Sequence, residues 1–281
     1  DLMSEHIVDA HAHIYSADEV RYPMIDKPHR PPTGTGDIEH LRRERDAHGV
    51  HRVVLVQTGS AYKWDNRLVT DTARENPDWT TGVCNLNPAD PDSPDRFEAM
   101  VRDDNIRALR LEPAPDGRFD HEGSRALLDR TQQIGAAICA HLQAAALPEL
   151  DALLSAHPDV PVVLDHCAYP DGAAGPDGAT VQDVVALARH PNLYAKLTFM
   201  VTRSVSGDPF DDTRPIARRI IDAFGPARCM WGSDFPCELW LKDLADYERH
   251  LAVVRDDLGL NTKDRAEVLG GTAMRVFFPG Q

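Results

Sequence analysis

The stretch His6–His13, with the sequence HIVDAHAH, begins with apolar residues and ends with two histidines that are separated by one alanine. Such a short apolar run is typical of a β-strand, and the alternation of a strand predicts that Asp9, His11 and His13 share one face. Two imidazoles with this spacing at a strand end can converge on one divalent ion. Alone, however, the motif is weak, because histidines in such positions are more often only hydrogen-bonded.

Seven further apolar runs follow this stretch and recur at a spacing of about thirty residues, which is the length of one βα unit. They are His51–Gln57, Thr81–Leu86, Ile106–Leu111, Ala136–Leu142, Pro161–His166, Asn192–Thr198 and Arg228–Asp234. The segments between them carry apolar residues at helical spacing, as in Val181–Arg189. Eight βα units without a break in composition predict a (β/α)8 TIM barrel, with residues 1–281 as a single domain, rather than an open doubly wound sheet.

The net charge of −15, from 30 basic and 45 acidic residues, makes nucleic acids and anionic membranes poor partners. No apolar run approaches the roughly 18 residues of a membrane span, and the first residues do not have the pattern of a signal peptide. The five cysteines form no CxxC motif, which suits a reducing compartment. We therefore expect a cytoplasmic protein that binds a small molecule, and a homo-oligomer stays open.

Polar residues stand at the carboxyl ends of three later predicted strands. His141 ends the fifth strand, His166 ends the sixth, and Asp234 ends the eighth. Barrel enzymes build their active sites at this end of the strands. An aspartate in an apolar strand is costly to bury unless it is paired or bound to metal. The joint pattern favours one active site at the barrel mouth over a set of unrelated helix caps.

This arrangement resembles the amidohydrolase superfamily, and most closely its "amidohydrolase 2" branch, which includes lactonases of sugar acids and pyrones. The resemblance covers nearly the whole chain. Further motifs that carry it are Val53–Gln57 (VVLVQ), Leu164–His166 (LDH), Tyr194–Thr198 (YAKLT), Gly232–Pro236 (GSDFP) and Gly271–Phe277 (GTAMRVF).

The resemblance implies a single divalent metal ion, zinc first and manganese as the other candidate. Its ligands would be His11, His13, His141 and Asp234, with Asp9 as a supporting group behind them. Asp234 would complete the metal site or act as the general base that accepts a proton from the attacking water. Some lactonases of this branch work without metal, so a metal-independent mechanism also stays open.

The resemblance also suggests groups that face the substrate. His166 would orient the metal or polarise the substrate carbonyl. Arg110 and Arg203 would hold a carboxylate, a task that suits the guanidinium fork, or they would form salt bridges with Glu112 or Asp208. Pyrone lactonases have an arginine three residues after the strand-six histidine, where this chain has Tyr169. We therefore expect a ligand with fewer carboxylates, or one that is more hydroxylated or aromatic.

Two further kinds of residue complete the expected pocket. Lys196, at the end of the seventh strand, would either neutralise an oxyanion or pair with Asp234. Trp64 is expected to form part of the wall. Three other aromatic residues are weaker candidates, because lone aromatic side chains more often pack in the core: Tyr22, Tyr62 and Trp240.

The leading functional hypothesis is a metal-dependent hydrolase, specifically a lactonase that opens a small carboxylated cyclic ester with activated water. The alternative is a decarboxylase of an aromatic or unsaturated carboxylic acid that uses the same metal site. A third hypothesis, a barrel that only binds a ligand, does not require His11, His13 and Asp234 together.

Overall fold

The computed structural model describes residues 6–237 and 244–281. Eight parallel strands form one sheet in chain order. Their bounds are β1 Ile7–Ala12, β2 Val50–Val56, β3 Thr80–Asn85, β4 Ile106–Leu111, β5 Ala137–Ala140, β6 Val162–Leu164, β7 Leu193–Leu197 and β8 Cys229–Trp231. Every predicted apolar run overlaps one of these strands, so the predicted (β/α)8 barrel is confirmed.

Helices follow the strands and cover the outside of the sheet. They are α1 Ile38–Ala47, α2 Gly59–Tyr62, α3 Arg67–Glu75, α4 Ser93–Asp103, α5 Glu122–Ile134, α6 Leu147–Ala156, α7 Ala179–Leu187, α8 Phe199–Thr202, α9 Arg214–Phe224, α10 Tyr247–Asp256, α11 Thr262–Ala266 and α12 Thr272–Phe277. In α9, Ile216, Ile220 and Phe224 recur every four residues and are buried, which is the pattern of a helix with one apolar face. Within the described ranges, no helix has both the length and the apolar character needed to cross a membrane.

The barrel interior is filled by side chains from all eight strands, with Tyr194 of β7 packed against the fully buried ones. Those are mostly small or branched, namely Val8, Ala10, Val54, Val56, Val83, Ala108, Ala137, Cys139, Val163 and Met230. Phe277 of helix α12 belongs to the same cluster, which places this helix against one end of the barrel. The interior is therefore a packed core, as expected for a TIM barrel, and any ligand must bind above it.

The ends of β1 and β8 approach each other and complete the ring. Ala12 forms a parallel bridge with Phe235. The amide of His13 donates to the Phe235 carbonyl at 2.8 Å, and the amide of Asp234 donates to the His11 carbonyl at 2.8 Å. Two segments that lie more than 200 residues apart in sequence therefore become neighbours, and the two histidines meet the aspartate.

The backbone of β1 departs from simple alternation. Val8 and Ala10 point into the barrel interior, and the pairing with β2 is irregular between Asp9 and Ala12. Asp9 instead accepts hydrogen bonds from Tyr247 at 2.8 Å and from the amide and hydroxyl of Ser233. The expectation that Asp9 shares a face with the two histidines is therefore wrong, because the irregularity reverses the alternation after Ala10.

Asp9 nevertheless supports the first strand from behind. Its carboxylate also accepts the amide of His11 at 3.1 Å, and the side chain is fully buried. Burial raises the pKa of Asp9 despite the four hydrogen bonds that oppose this shift. The residue ties β1 to β8 and to helix α10, so it stabilises the point where the barrel closes.

Closure also depends on a glycine. A Cβ atom added at Gly232 would lie 2.8 Å from the Cβ of His11 and 3.0 Å from its backbone nitrogen. We expect Gly232→Ala to lower the free energy of unfolding by about 1–3 kcal/mol, the usual range for overpacking. Urea unfolding followed by circular dichroism measures this change. Gly59→Ala is the matched control, since its Cβ would meet ordinary contacts at 3.7 and 3.8 Å. Equal stability of the two variants would contradict this account of closure.

Candidate active site

A cavity of about 920 Å³ opens at the carboxyl ends of the strands. It is large enough for a small-molecule substrate. Most of the side chains predicted from the sequence line it, namely His13, Trp64, Arg110, His141, His166, Tyr169, Arg203 and Asp234. Two do not, His11 and Lys196, which are fully buried. The strand-end positions therefore converge on one site.

His11, His13 and Asp234 form a compact group of three donors. The Nε2 atoms of the two histidines are 3.1 Å apart. Oδ1 of Asp234 lies 3.5 Å from Nε2 of His11 and 3.4 Å from Nε2 of His13. All three ligand atoms lie within 4.8 Å of one another, a spacing at which they could hold a metal ion. Two imidazole nitrogens and one carboxylate oxygen suit a divalent ion such as zinc and leave a position for water or substrate.

The surroundings of His13 fit this assignment. Its Nδ1 lies 2.9 Å from the carbonyl oxygen of Val56, which can only accept a hydrogen bond. Nδ1 therefore carries the proton, and Nε2 keeps its lone pair for a ligand. Around His11, the ammonium of Lys196 lies 3.0 Å from Nδ1, and the carboxylate of Asp165 lies 4.0 Å away. The negative charge of Asp165 offsets the positive charge of the Lys196 ammonium beside His11.

Asp234 is held in a constrained backbone conformation. Its φ is +56°, in the left-handed region that residues with a side chain rarely adopt. Burial by itself raises the pKa of this carboxyl, but the hydrogen bond with His13 and the nearby His166 and Arg110 hold the pKa below its ordinary value. Asp234 is therefore an ionised carboxylate at neutral pH. Its side chain is 18% exposed, so it can reach a molecule in the cavity.

A buried ion cluster lies beneath the cavity floor. Asp165 binds the ammonium of Lys196 at 2.8 Å and Nε of Arg110 at 2.9 Å. Burial raises the pKa of Asp165, but the two cations outweigh this and hold it far below its usual range. Lys196 was expected to pair with Asp234 or to meet an oxyanion. It does neither, because it is fully buried and Asp165 is its partner.

His166 is held on both sides of its ring. Nδ1 lies 2.5 Å from the hydroxyl of Thr198, and Nε2 lies 3.3 Å from Nη2 of Arg110. Burial lowers the pKa of His166 to about 3, so the ring is neutral. Because arginine can only donate, Nε2 is an acceptor and offers no proton to a substrate carbonyl. Arg110 is the group that presents positive charge at this point.

The turn after β6 explains how His166 and Tyr169 both reach the cavity. Four consecutive residues, His166 to Tyr169, have φ values of 54°, 48°, 59° and 59°. Each left-handed residue with a side chain costs on the order of 1 kcal/mol, so the surrounding contacts must impose this turn. It brings the rings of His166 and Tyr169 to a centroid distance of 5.1 Å.

A second set of polar residues lines the cavity on the side of β3, β4 and β5. Nδ1 of His141 lies 2.9 Å from Oε2 of Glu112, and Nε2 of His141 is hydrogen-bonded to the hydroxyl of Tyr169. The amide of Asn85 donates to Oε1 of Glu112. His141, which we expected as a metal ligand, lies in this chain and not in the group formed by His11, His13 and Asp234. Both of its ring nitrogens already have partners.

Glu112, Asn85 and Asp165 are residues that the sequence patterns did not assign to the site, although Asp165 belongs to the LDH motif. Burial raises the pKa of Glu112, but its hydrogen bond with His141 and the charge of Arg110 lower it to about 2. One signal was available for this residue, since Glu112 follows Arg110 by two positions and alternation gives both residues the same side of β4.

Of the remaining predicted residues, Arg203 and Trp64 line the cavity. Arg203 donates from Nε to the carbonyl of Pro170 at 2.9 Å, and no ion pair of its guanidinium is found in the described part of the chain. Trp64 is 39% exposed. Tyr22 and Tyr62 are buried in the core cluster, and Trp240 lies outside the described residues.

Comparison with known proteins matches residues 8–278 to the family model described as "Amidohydrolase". An L-fucono-1,5-lactonase of Burkholderia ambifaria is 29% identical over 96% of this chain and 94% of that protein. A 4-sulfomuconolactone hydrolase of Rhizobium radiobacter is 25% identical over 81% of this chain and 75% of that protein.

Solved structures share the architecture. One of them is an amidohydrolase from Burkholderia multivorans with bound zinc, which covers 97% of this chain and 99% of its own, with 22% identity and a TM-score of 0.77. This likeness concerns the fold. Together with the family match over nearly the full length, the barrel and its strand-end residues show that the chain belongs to the amidohydrolase family.

Proposed function

We propose that this protein is a lactonase that opens a small carboxylated cyclic ester by attack of water. The observation that carries the proposal is the ionised Asp234 beside His11 and His13, in a cavity that Arg110 and Arg203 also line. The two relatives described above are both named as enzymes that act on lactones, which supports the same reaction class.

His11, His13 and Asp234 are the residues that would hold a divalent cation, with zinc first and manganese as the other candidate. When bound, such a cation supplies Lewis-acid chemistry that lowers the pKa of a water molecule towards about 7. Asp234 accepts a proton from the attacking water, since its carboxylate lines the cavity and its lowered pKa keeps it ionised at neutral pH. The same group then returns that proton to the ring oxygen that leaves.

Arg110 stabilises the negative charge that develops on the carbonyl oxygen during the attack. Its guanidinium lines the cavity and is oriented by Asp165 at 2.9 Å and by His166 at 3.3 Å. His166 thus acts through Arg110 in this proposal and not as a proton donor. Preorganised charge of this kind often lowers the barrier to acyl transfer more than any other single effect.

Arg203 binds the substrate carboxylate, and Trp64 forms the wall beside it. Arg203 uses only Nε in the hydrogen bond with Pro170, which leaves its two terminal nitrogens as a fork for a carboxylate. Decarboxylation is not favoured, because no feature of the described residues singles out loss of CO2 and the two relatives named above open lactones.

Two substitutions separate chemistry from binding. We expect Asp234→Asn to lower kcat by about 10²–10⁴, because the amide cannot accept the proton of water, with a much smaller change in KM. Arg203→Met is expected to raise KM with kcat largely kept. Steady-state hydrolysis of carboxylated lactones, followed by proton release, measures both. Asp222→Asn, on the exposed surface of α9, is the control. A fully active Asp234→Asn variant would rule out this mechanism.

Metal removal tests the role of the three-residue group. We expect a chelator to lower activity, and Zn²⁺ or Mn²⁺ to restore it, because the cation assists loss of the water proton. Metal content, measured on the same samples by mass spectrometry, should rise and fall with activity. Full activity in protein shown to be free of metal would assign the reaction to Asp234 and Arg110 alone.

A further inference from the structure

Hydrogen bonds link Glu112 through His141 to Tyr169, and the carboxylate of Glu112 determines their direction. The pKa of Glu112 is lowered to about 2, so this carboxylate only accepts hydrogen bonds. Nδ1 of His141, 2.9 Å from Oε2 of Glu112, must therefore carry a proton and donate it. Burial also lowers the pKa of His141, despite the opposing effect of Glu112, so the ring is neutral and its Nε2 is an acceptor.

The same direction continues to Tyr169. Because Nε2 of His141 accepts, the hydroxyl of Tyr169 donates its proton to that nitrogen. Burial raises the pKa of Tyr169, so the hydroxyl keeps this proton. A hydroxyl has one donor and two acceptor lone pairs, and the donor is already used. The Tyr169 oxygen therefore presents only lone pairs to the cavity that it lines.

Asn85 holds the second carboxylate oxygen of Glu112, because its Nδ2 donates to Oε1. The guanidinium groups of Arg110 and Arg203, which can only donate, line the same cavity. The cavity therefore offers a ligand donors from the two arginines and an acceptor at the Tyr169 oxygen.

We propose that Tyr169, oriented by His141 and Glu112, is a specificity-determining residue whose oxygen accepts a hydrogen bond from a hydroxyl group on the lactone. The inference rests on the proposed lactonase function and deepens it: the substrate class is a hydroxylated lactone. Its carbonyl and carboxylate lie towards Arg110 and Arg203, and its hydroxyl lies towards Tyr169. An aromatic or alkyl lactone without a hydroxyl leaves these lone pairs without a partner, which costs binding.

The first test compares two probes, glucono-1,5-lactone and the unsubstituted δ-valerolactone. The measured quantity is the ratio of their kcat/KM values, corrected for spontaneous hydrolysis. We expect the wild-type protein to prefer the hydroxylated probe, and Tyr169→Phe to lower this preference by about tenfold, mainly through KM, since one hydrogen bond is lost. Tyr194→Phe, on β7 and away from the cavity, is the matched control.

Glu112→Gln tests the direction of the hydrogen bonds without a change of size. The Nδ2 group of Asn85 needs an acceptor, so it keeps the amide oxygen of glutamine on its own side and turns the amide nitrogen towards His141. Nδ1 of His141 then accepts, Nε2 donates to the Tyr169 oxygen, and the hydroxyl proton turns into the cavity. Because a substrate hydroxyl can also accept this proton, we expect a smaller loss of preference than in Tyr169→Phe, about two- to threefold.

The double variant with Glu112→Gln and Tyr169→Phe shows whether Glu112 acts through Tyr169 or contacts the substrate directly. If Glu112 acts through Tyr169, Glu112→Gln has no further effect on the preference once Tyr169→Phe is present. Additive effects, or an unchanged preference in folded Tyr169→Phe protein, overturn the proposal. If the wild-type protein hydrolyses neither probe nor carboxylated lactones, the lactonase function itself is contradicted. Failure of the specificity proposal and failure of the proposed function are therefore distinguishable.

Discussion

The carboxylate of Asp165 lies at the centre of the barrel, fully buried between the ammonium of Lys196 and the guanidinium of Arg110. None of these charges would be tolerated alone at this depth, because each unpaired ion would lose its hydration without compensation. Together they form a fixed platform from which the site is built. Lys196 contacts His11, and Arg110 contacts His166. The positions of both histidines therefore depend on this one buried ion cluster.

A second constraint is the closure of the barrel between β1 and β8. The reciprocal backbone hydrogen bonds of this seam place Asp234 against the two histidines of β1, and Asp9 ties the same segments together from the outer side. Gly232 permits the close approach, since a side chain there would collide with His11. A metal site or a general base at this position thus depends on backbone contacts as much as on the choice of ligands.

The proposed mechanism assigns opposite charges to two neighbouring residues. Asp234 would hold the negative charge that accepts a proton, and the nearby Arg110 would supply positive charge. Glu112, His141 and Tyr169 form a hydrogen-bonded chain outside the group of His11, His13 and Asp234. In the proposal above, the direction of these hydrogen bonds makes the Tyr169 oxygen an acceptor for a ligand hydroxyl. In this proposal, chemistry and selectivity are therefore carried by different residues, although Arg110 and Glu112 both come from β4 and its carboxyl end.

Much of this could be predicted from the sequence, because it depends on local patterns. The period of the apolar runs determined the eight strands, and the polar residues at their ends, including His13, His166 and Asp234, had to meet at one rim once the barrel formed. Which side chains pair across the barrel is a different matter. The partner of Lys196 is Asp165 and not Asp234, and His141 turns to Glu112 and Tyr169. These pairings depend on strand register, on the irregularity in β1 and on the left-handed turn at His166–Tyr169. Only the tertiary structure decides them, because each results from contacts between segments that are distant in sequence.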